Sequence, residues 1–329
     1  ILAPVLLNLG DASPNNYIPV LIHPVFFAGL TLLAVGLALP VLRLVIQVSA
    51  RRSCEPVVFA VAASGIIFLI ALICLAAAWL TMPAEIPPND AAERVFWGMG
   101  HVMQFANTLL LMVGIYLLSR MTLGETPVSS RLFKLVAGAM VAGAAIGPML
   151  YVSFPADDPA QVTAFTDLYW YVLPIPTGVF LLGTIGLFSR RALAIRSQTP
   201  EIIGLWVALV LFGFGGLIGF FESSVDTRTP AHYHAELIGV TLVFMCLYFA
   251  IFLPLLDKPV PAKKWRIASY VLLGTGQFFH SAGLFSAGLD GVARKVAGVE
   301  QGLDSATKLL SMTLMGLGGL IAVIGGVIF

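Results

Sequence analysis

Apolar residues occur along this chain in long runs, separated by short polar connections that contain proline. Each run is long enough to cross roughly 30 Å of hydrocarbon as a helix. The nine predicted membrane helices cover about residues 18–47, 56–82, 95–119, 132–153, 163–189, 202–221, 231–256, 266–288 and 306–329. Connections such as Pro83 to Asp90, Pro155 to Pro159 and Pro259 to Pro261 contain helix stop signals. The pattern predicts an all-α fold, a polytopic bundle of about nine transmembrane helices, with residues 1–329 as a single transmembrane domain.

Composition supports a lipid bilayer as the surroundings of this bundle. The chain is 59% hydrophobic and 11% charged, whereas soluble domains have about a quarter charged residues. The net charge of +1 gives no reason to expect a nucleic-acid partner. Cys54, Cys74 and Cys246 lie far apart without CxxC or CxxCH spacing. We therefore expect no disulfide framework, no thiolate metal site and no covalently attached haem.

The two ends of the sequence suggest a piece of a longer polypeptide. It starts at Ile1, and it stops at Phe329 inside the apolar run 317–329. No basic segment precedes the first apolar stretch, so a signal peptide is not predicted.

Lysine and arginine fall mainly in alternate loops, which predicts an orientation. Thirteen lie on one side: Arg43, Arg51, Arg52, Arg120, Arg131, Lys134, Arg190, Arg191, Arg196, Lys258, Lys263, Lys264 and Arg266. Five lie on the other, among more numerous acids: Arg94, Arg228, Arg294, Lys295 and Lys308. The first side is therefore predicted to be cytoplasmic, in a bacterial inner membrane, with the first, third, fifth, seventh and ninth helices starting outside.

With this topology the five histidines fall in one layer. His23, His101, His232 and His234 are expected in the first turns of helices that begin outside, and His280 in the last turns of a helix that ends there. Imidazoles do collect at membrane interfaces, and for any single histidine that explanation stays open. Interfacial preference would populate both sides, however. The shared layer, toward the periplasm, therefore predicts metal or haem ligation.

The segment Ala231-His232-Tyr233-His234-Ala235-Glu236 makes this prediction more specific. Side chains two residues apart on a helix point about 200° apart. His232 and His234 are therefore expected to face opposite sides of the helix and to be able to ligate two haems. The intramembrane carboxylate of Glu236 is a functional candidate because such groups are costly. Its role and that of His23 are left open. Glycine-rich stretches at 215–219 and 316–326 predict close helix approach rather than ligand loops.

Four segments, in the same order, resemble those of a known family. They are Trp97-Gly98-Met99-Gly100-His101; Thr229-Pro230-Ala231-His232-Tyr233-His234; Gln277 to Leu284 followed by Gly291-Val292-Ala293-Arg294; and Leu310-Ser311-Met312 before a glycine-rich helix. The arrangement resembles the main subunit (subunit I) of the haem-copper oxidases and nitric oxide reductases. On this register the nine helices correspond to the family's helices four to twelve.

The resemblance implies roles for particular residues. His232 would ligate the iron of a high-spin haem and His234 that of a low-spin haem, while His101 lies in the segment that carries a copper ligand. His280 and Arg294 are further candidates for cofactor binding, Arg294 and Lys295 as partners of haem propionates. One or two haems of type b are the implied cofactors.

Departures from the family pattern argue against copper. Four residues after His101, where oxidases have tyrosine and nitric oxide reductases glutamate, stands Phe105. The adjacent histidine pair that completes the copper site is replaced by Thr166-Asp167-Leu168-Tyr169-Trp170-Tyr171. Since such a copper site needs about three imidazoles, we expect none, and no catalytic residue is assigned.

The sequence thus predicts a divergent subunit I-like haemoprotein that takes part in respiratory electron transfer, as one component of an oxidoreductase complex. Its expected partners are other subunits of that complex and a cytochrome c or quinol donor. Two alternatives stay open: an active oxygen or nitric oxide reductase with a remodelled site, and a haem-free structural subunit.

Overall fold

The computed structural model describes residues 6–7, 9–13, 20–51, 53–191, 199–223 and 225–329. Arg52 and Arg196, which contributed to the predicted orientation, lie outside the described residues, as do residues 18–19 of the first predicted helix.

The structure is built almost entirely from helices. The strands and α-helices are β1 (Asp11–Ser13), β2 (Val20–Ile22), α1 (Pro24–Ser49), α2 (Pro56–Thr81), α3 (Pro88–Leu123), α4 (Ser130–Ala144), α5 (Ile146–Ser153), α6 (Pro159–Asp167), α7 (Pro174–Arg190), α8 (Pro200–Gly219), α9 (Arg228–Leu247), α10 (Leu253–Leu255), α11 (Lys263–Leu289) and α12 (Ala306–Ile328). Two π-helical turns, Leu168–Val172 and Tyr248–Phe252, and a 3₁₀ turn, Gly298–Gln301, complete them.

In the described ranges these elements form nine helical spans, because α4 continues into α5, α6 into α7, and α9 into α10. Eight of the spans are long and apolar enough to cross a membrane. The ninth, α11, has 27 residues and begins with the basic segment Lys263-Lys264-Trp265-Arg266. The predicted all-α polytopic bundle is confirmed.

Two helix starts differ from the prediction by six residues or more. The first span begins at Pro24 rather than at 18, and β2 precedes it, paired antiparallel with β1. Proline disfavours helical geometry in the residue before it, and His23 is accordingly extended. The third begins at Pro88 rather than at 95. Its first two turns are polar, so hydropathy misses them, although a proline and the acidic Asp90 favour a helix start.

Four helices begin with the same local device. A capping residue precedes a proline at the first helical position, and its side chain accepts a hydrogen bond from a backbone N–H of the first turn. The cap and proline pairs are His23-Pro24, Glu55-Pro56, Asp158-Pro159 and Thr199-Pro200. His23, whose role was left open, is therefore the N-cap of α1, with its Nδ1 3.3 Å from the Val25 nitrogen.

Prolines inside three spans explain their irregularities. Proline cannot donate to the carbonyl four residues earlier, and its ring clashes with that group. Pro148 follows the break between α4 and α5 at Ala145. Pro174 and Pro254 each follow a π-helical turn, where the Leu173 nitrogen, for example, bonds the Leu168 oxygen at 3.3 Å. Each proline thus shifts the hydrogen-bond ladder instead of ending the span.

Backbone contacts divide the chain into two compact units. The first comprises residues 1–113 and 126–188, and the second comprises residues 114–125 and 189–329. The single transmembrane domain predicted from the sequence stays a prediction. In the first unit α2 packs against α1, α4 and α5. Its core contains the fully buried side chains of Ile67, Phe105, Phe133, Met140, Phe165 and Phe180.

In the second unit α11 packs along α12, and α9 lies against both α8 and α11. Gly276, Gly283, Gly318 and Gly325 place α11 and α12 in near backbone contact; a Cβ at Gly283 would lie 2.5 Å from the Met315 nitrogen. Between α8 and α9, a Cβ at Gly215 would lie 2.6 Å from the Cγ of Glu236. The predicted close approach at the glycine-rich stretches is confirmed at these positions, whereas Gly316 and Gly326 face open space.

Replacing Gly318 with alanine should lower the unfolding temperature of the detergent-solubilised protein. The new Cβ would meet the backbone nitrogen of His280, and overpacking of this kind costs about 1–3 kcal/mol. Gly316→Ala, two residues earlier on α12, is the matched control because nothing lies within 4 Å of its Cβ. Equal unfolding temperatures for the two variants would contradict the close approach of α11 and α12.

Candidate functional site

The helix that carries the His-Tyr-His segment starts at a fixed junction of the second unit. The buried carboxylate of Asp226 accepts bonds from the Arg228 nitrogen at 3.0 Å and from its guanidinium at 2.8 Å. The backbone of Asp226 pairs with Ala293, and the Thr227 hydroxyl donates to the Leu284 carbonyl at 2.7 Å. The start of α9 is thereby tied to α11 and to the loop that follows it, one turn before His232.

His232 points toward α8. It is 5% exposed, and its Nδ1 lies 2.8 Å from the carbonyl oxygen of Gly215. A carbonyl only accepts, so Nδ1 must bear the hydrogen. The other ring nitrogen, Nε2, lies 3.6 Å from Glu236 Oε2, one turn further along α9. Gly219 makes room for the ring, because a Cβ there would lie 2.6 Å from Nδ1.

His234 points elsewhere. Its half-buried ring lies 4.9 Å from that of His280 on α11, centroid to centroid, with the planes at 70°, and 5.0 Å from that of Tyr233. The two histidines of α9 thus leave the helix toward two different neighbours, as their spacing predicts.

His280 is held from the α12 side. Its Nδ1 donates to the Met315 carbonyl at 3.0 Å, in the region where Gly318 brings the two helices together. Arg294 lies in the loop after α11, where its backbone nitrogen donates to the Val225 carbonyl at 3.3 Å. Lys295 follows with φ of 61°. The structure therefore gathers His232, His234 and His280 on α9 and α11 of one unit, with Arg294 in a loop anchored just before α9.

His101 belongs to the first unit. It is the fourteenth residue of α3, which starts at Pro88, so the prediction that it lies in the first turns of a helix is wrong. The reason is the polar N-terminal extension of α3, which the hydropathy pattern did not detect. His101 is 6% exposed, and its Nδ1 donates to the carbonyl of Trp97 at 3.0 Å within its own helix.

Aromatic rings surround His101. The ring of Trp97 lies 4.7 Å away, that of Phe165 6.0 Å and that of Tyr169 6.5 Å. Gly98 lets this segment pack closely, since a Cβ there would lie 2.6 Å from Phe165. Tyr169 belongs to the stretch Thr166 to Tyr171, where the resemblance led us to expect no histidine pair, and it presents a phenol ring to His101. In the described ranges no three His, Cys, Asp or Glu side chains are grouped as a metal site.

Sequence reasoning did not find the acceptors of these histidines. The carbonyls of Gly215 and Met315 lie on helices distant in sequence, and backbone carbonyls have no residue signature. The glycines beside them were the available signal, because they mark where a neighbouring helix comes close enough for a side chain to reach the backbone. The contact between His234 and His280 was not predicted either.

In the described ranges, eight helical spans are long and apolar enough to cross a membrane, and two of them contain the buried imidazoles of His101 and His232. These features define a polytopic membrane protein with candidate ligands for a metal or haem. Comparison with known proteins then gives the family. Residues 1–328 match the family of the cytochrome c and quinol oxidase polypeptide I. The chain belongs to this family, as a divergent subunit I-like member, and the predicted resemblance is confirmed.

The relatives extend beyond the length of this chain. An uncharacterized protein of Rickettsia prowazekii, RP382, is 27% identical over 96% of this chain and 69% of its own length. An uncharacterized protein of Aquifex aeolicus is 30% identical over 74% of this chain and 60% of its own. A heme-copper terminal oxidase solved by cryo-electron microscopy has a similar fold, with a TM-score of 0.57 and 18% identity over 86% of this chain and 56% of that chain.

Replacing Asp226 with asparagine should destabilise the second unit at neutral pH by about 1–3 kcal/mol, because charge-assisted hydrogen bonds to Arg228 are lost. Burial opposes ionisation of Asp226, but the bonds from Arg228 prevail and lower its pKa below the ordinary 3.8. A carboxylate whose pKa is lowered by folding stabilises the folded state at pH values above its ordinary pKa. This stabilisation is lost as the pH falls through the folded-state pKa.

The measurement is thermal unfolding of both proteins between pH 7 and pH 3. The gap between wild type and Asp226→Asn should narrow at the acidic end. Asp290→Asn, at the exposed end of α11, serves as the control and should leave stability unchanged across the range. A gap that stays constant down to pH 3 would contradict the role given to the Asp226 carboxylate.

Proposed function

We propose that this chain is a haem-binding, subunit I-like membrane protein that takes part in respiratory electron transfer. The observation that carries the proposal is the divergence of His232 and His234. One helix presents two imidazoles to two different neighbouring helices, as a helix serving two haems requires. His234 is the proposed axial ligand of a low-spin haem, and His232 that of a second haem where one is bound.

The donor chemistry fits a haem. Histidine is a common axial ligand of haem iron, and ligating histidines usually donate their other ring N–H to a backbone carbonyl or carboxylate. His232 and His280 make this kind of bond, to Gly215 and Met315. It places the ring hydrogen on Nδ1 and makes Nε2 the basic nitrogen.

The geometry also limits which histidines can share an iron. Metal to imidazole bonds are about 2.0–2.1 Å long, so two rings on opposite sides of one ion have centroids about 6 Å apart. The rings of His234 and His280 are 4.9 Å apart. This distance is shorter than two imidazole ligands of one iron would have, so only His234 of this pair would hold the haem.

A bound haem would supply a one-electron carrier, and the protein's residues would hold it and exclude water. Two aromatic pairs keep this part of the second unit apolar. The rings of Phe214 on α8 and Phe278 on α11 lie 4.7 Å apart, and those of Phe221, just after α8, and Phe285 on α11 lie 6.4 Å apart. Arg294 is the proposed partner of a haem propionate. We propose haem of type b, in one or two copies.

The same proposal leaves copper out. The rings nearest to His101 that are described above are carbon-rich, and a copper ion there would need further imidazoles. His101 is therefore proposed to pack against aromatic side chains and, where a second haem is bound, to face it. No catalytic residue is proposed.

Location and partners follow from charge and family. The excess of basic residues on one side supports a bacterial inner membrane, with the histidines of α9 toward the periplasm. Other subunits of a respiratory complex and a cytochrome c or quinol donor are the proposed partners.

One observation favours a different function. Both ring nitrogens of His232 face groups of the protein itself, Gly215 and Glu236. A haem-free subunit that uses this histidine to join α8 to α9 would have the same contacts. Visible absorption by bound haem distinguishes the haem-binding function from this haem-free alternative.

The test is a reduced-minus-oxidised visible spectrum of the purified protein, with pyridine haemochrome quantitation. Wild type should show a low-spin haem signal without a carbon monoxide shift. His234→Ala should lose that signal because the axial ligand is gone. His23→Asn, which replaces one N-cap residue with another, is the matched control and should keep it.

Other results would decide against the proposal. A carbon monoxide shift would favour catalysis at His232, in an oxygen or nitric oxide reductase with a remodelled site. Wild-type protein without haem would favour the structural subunit.

A further inference from the structure

The connection between α10 and α11 begins with a fixed turn of the backbone. The Lys258 nitrogen donates to the Leu253 carbonyl at 2.9 Å. Asp257 has φ of 51°, in the left-handed region in which many helices end. Pro259 and Pro261 follow and restrict the backbone further. The position of Lys258 at the end of α10 is therefore set by the backbone.

Residues 257–266, called the basic segment below, present mainly positive charge. Lys258, Lys263 and Lys264 are exposed. Asp257 is the one acidic residue of the segment. Three lysines against one aspartate leave this surface with a net positive charge.

A neighbouring acid does not cancel that charge. Glu201, at the start of α8, forms an ion pair with Arg266, and the two side chains are only 13% and 18% exposed. Each charge of this pair is compensated by the other below the surface. The charges of the three lysines therefore face the surroundings of the protein.

Apolar groups adjoin the lysines on the same connection. The span that contains α9 ends at Leu255, and the side chains of Leu255 and Leu256 are exposed. Trp265 is 51% exposed, and the Lys264 Nζ lies 5.3 Å from the centroid of its ring. Tryptophan is enriched where a bilayer meets water. The basic segment thus lies at the boundary between lipid and water.

We propose that the basic segment binds the headgroup of an anionic phospholipid. The phosphate contacts Lys258, Lys263 and Lys264, and the acyl chains lie against Leu256 and Trp265. Charge complementarity selects this occupant, because a lipid without net charge would leave the lysines uncompensated. Basic residues next to a membrane span attract anionic lipids in this way. The inference does not depend on the haem-binding function.

The fixed turn and the prolines favour binding because less conformational freedom is lost when the lipid is held. Each lysine near the surface should contribute about 5-fold in affinity for an anionic over a neutral lipid. Salt should weaken this preference, since the lysines are exposed and the attraction is screened.

The experiment measures the quenching of Trp265 fluorescence by brominated lipids. The purified full chain is placed in phosphatidylcholine vesicles that contain increasing amounts of brominated phosphatidylglycerol or brominated phosphatidylcholine. Subtracting the emission of Trp265→Phe removes the signal of the other tryptophans. Brominated phosphatidylglycerol should quench Trp265 at lower mole fractions than brominated phosphatidylcholine, and the difference should shrink as salt is added.

Two triple variants of the lysines test the role of charge. Lys258→Gln, Lys263→Gln and Lys264→Gln together should abolish the preference for phosphatidylglycerol, because three positive charges are removed. Lys258→Arg, Lys263→Arg and Lys264→Arg together should retain it, because the charges remain.

The matched control removes three exposed arginines of the first unit, as Arg43→Gln, Arg51→Gln and Arg131→Gln. It lowers the net charge by the same amount and should leave the lipid preference at Trp265 unchanged. Equal quenching of the wild type by the two brominated lipids would overturn the inference. Loss of the preference in the control as well as in the lysine-to-glutamine variant would also overturn it, since net charge alone would then explain the preference.

Discussion

The structure of the second unit depends on how buried imidazole N–H groups find acceptors inside a membrane. Backbone carbonyls there are already used within their own helices, and side chains normally shield them from neighbouring helices. Glycine removes that shield. Gly215 and Gly219 allow the ring of His232 to reach a carbonyl of α8, and Gly318 brings α12 close enough for His280 to reach that of Met315. The glycines thus do more than permit close packing, because they also set the orientation and tautomer of the histidines.

A second constraint is that backbone carbonyls freed by proline within a membrane span must find other donors. Proline within a span removes one hydrogen bond, and in a bilayer the orphaned carbonyl must find another donor. The π-helical turns before Pro174 and Pro254 meet this need by bonding five residues back. The span of α9 therefore continues to Leu255, and its N-terminal end, where His232 and His234 lie, is anchored independently by Asp226 and Thr227.

The sequence predicted most of the fold because hydropathy and proline report directly on membrane helices. All nine spans were found from the apolar runs, and the opposite directions of His232 and His234 followed from helical geometry. The start of α3 was missed because its first turns are polar. Hydropathy indicates which residues favour lipid over water, and it does not indicate whether polar residues are helical. The partners of the histidines were missed because they are carbonyls and rings of distant helices. A single sequence records which residues attract such partners, but not which helices become neighbours.

The two units differ in the environments of their polar side chains, and this difference is relevant to function. In the first unit Phe105 is fully buried against Gly143 of α4, where a Cβ would lie 2.9 Å from its ring, and His101 donates to a carbonyl of its own helix. Phe105 is thus part of an apolar core. In the second unit three histidines and Glu236 lie within helices, although each buried polar group costs free energy unless a partner compensates for it. Apolar residues could join these helices without that cost, which supports the haem-binding function proposed above.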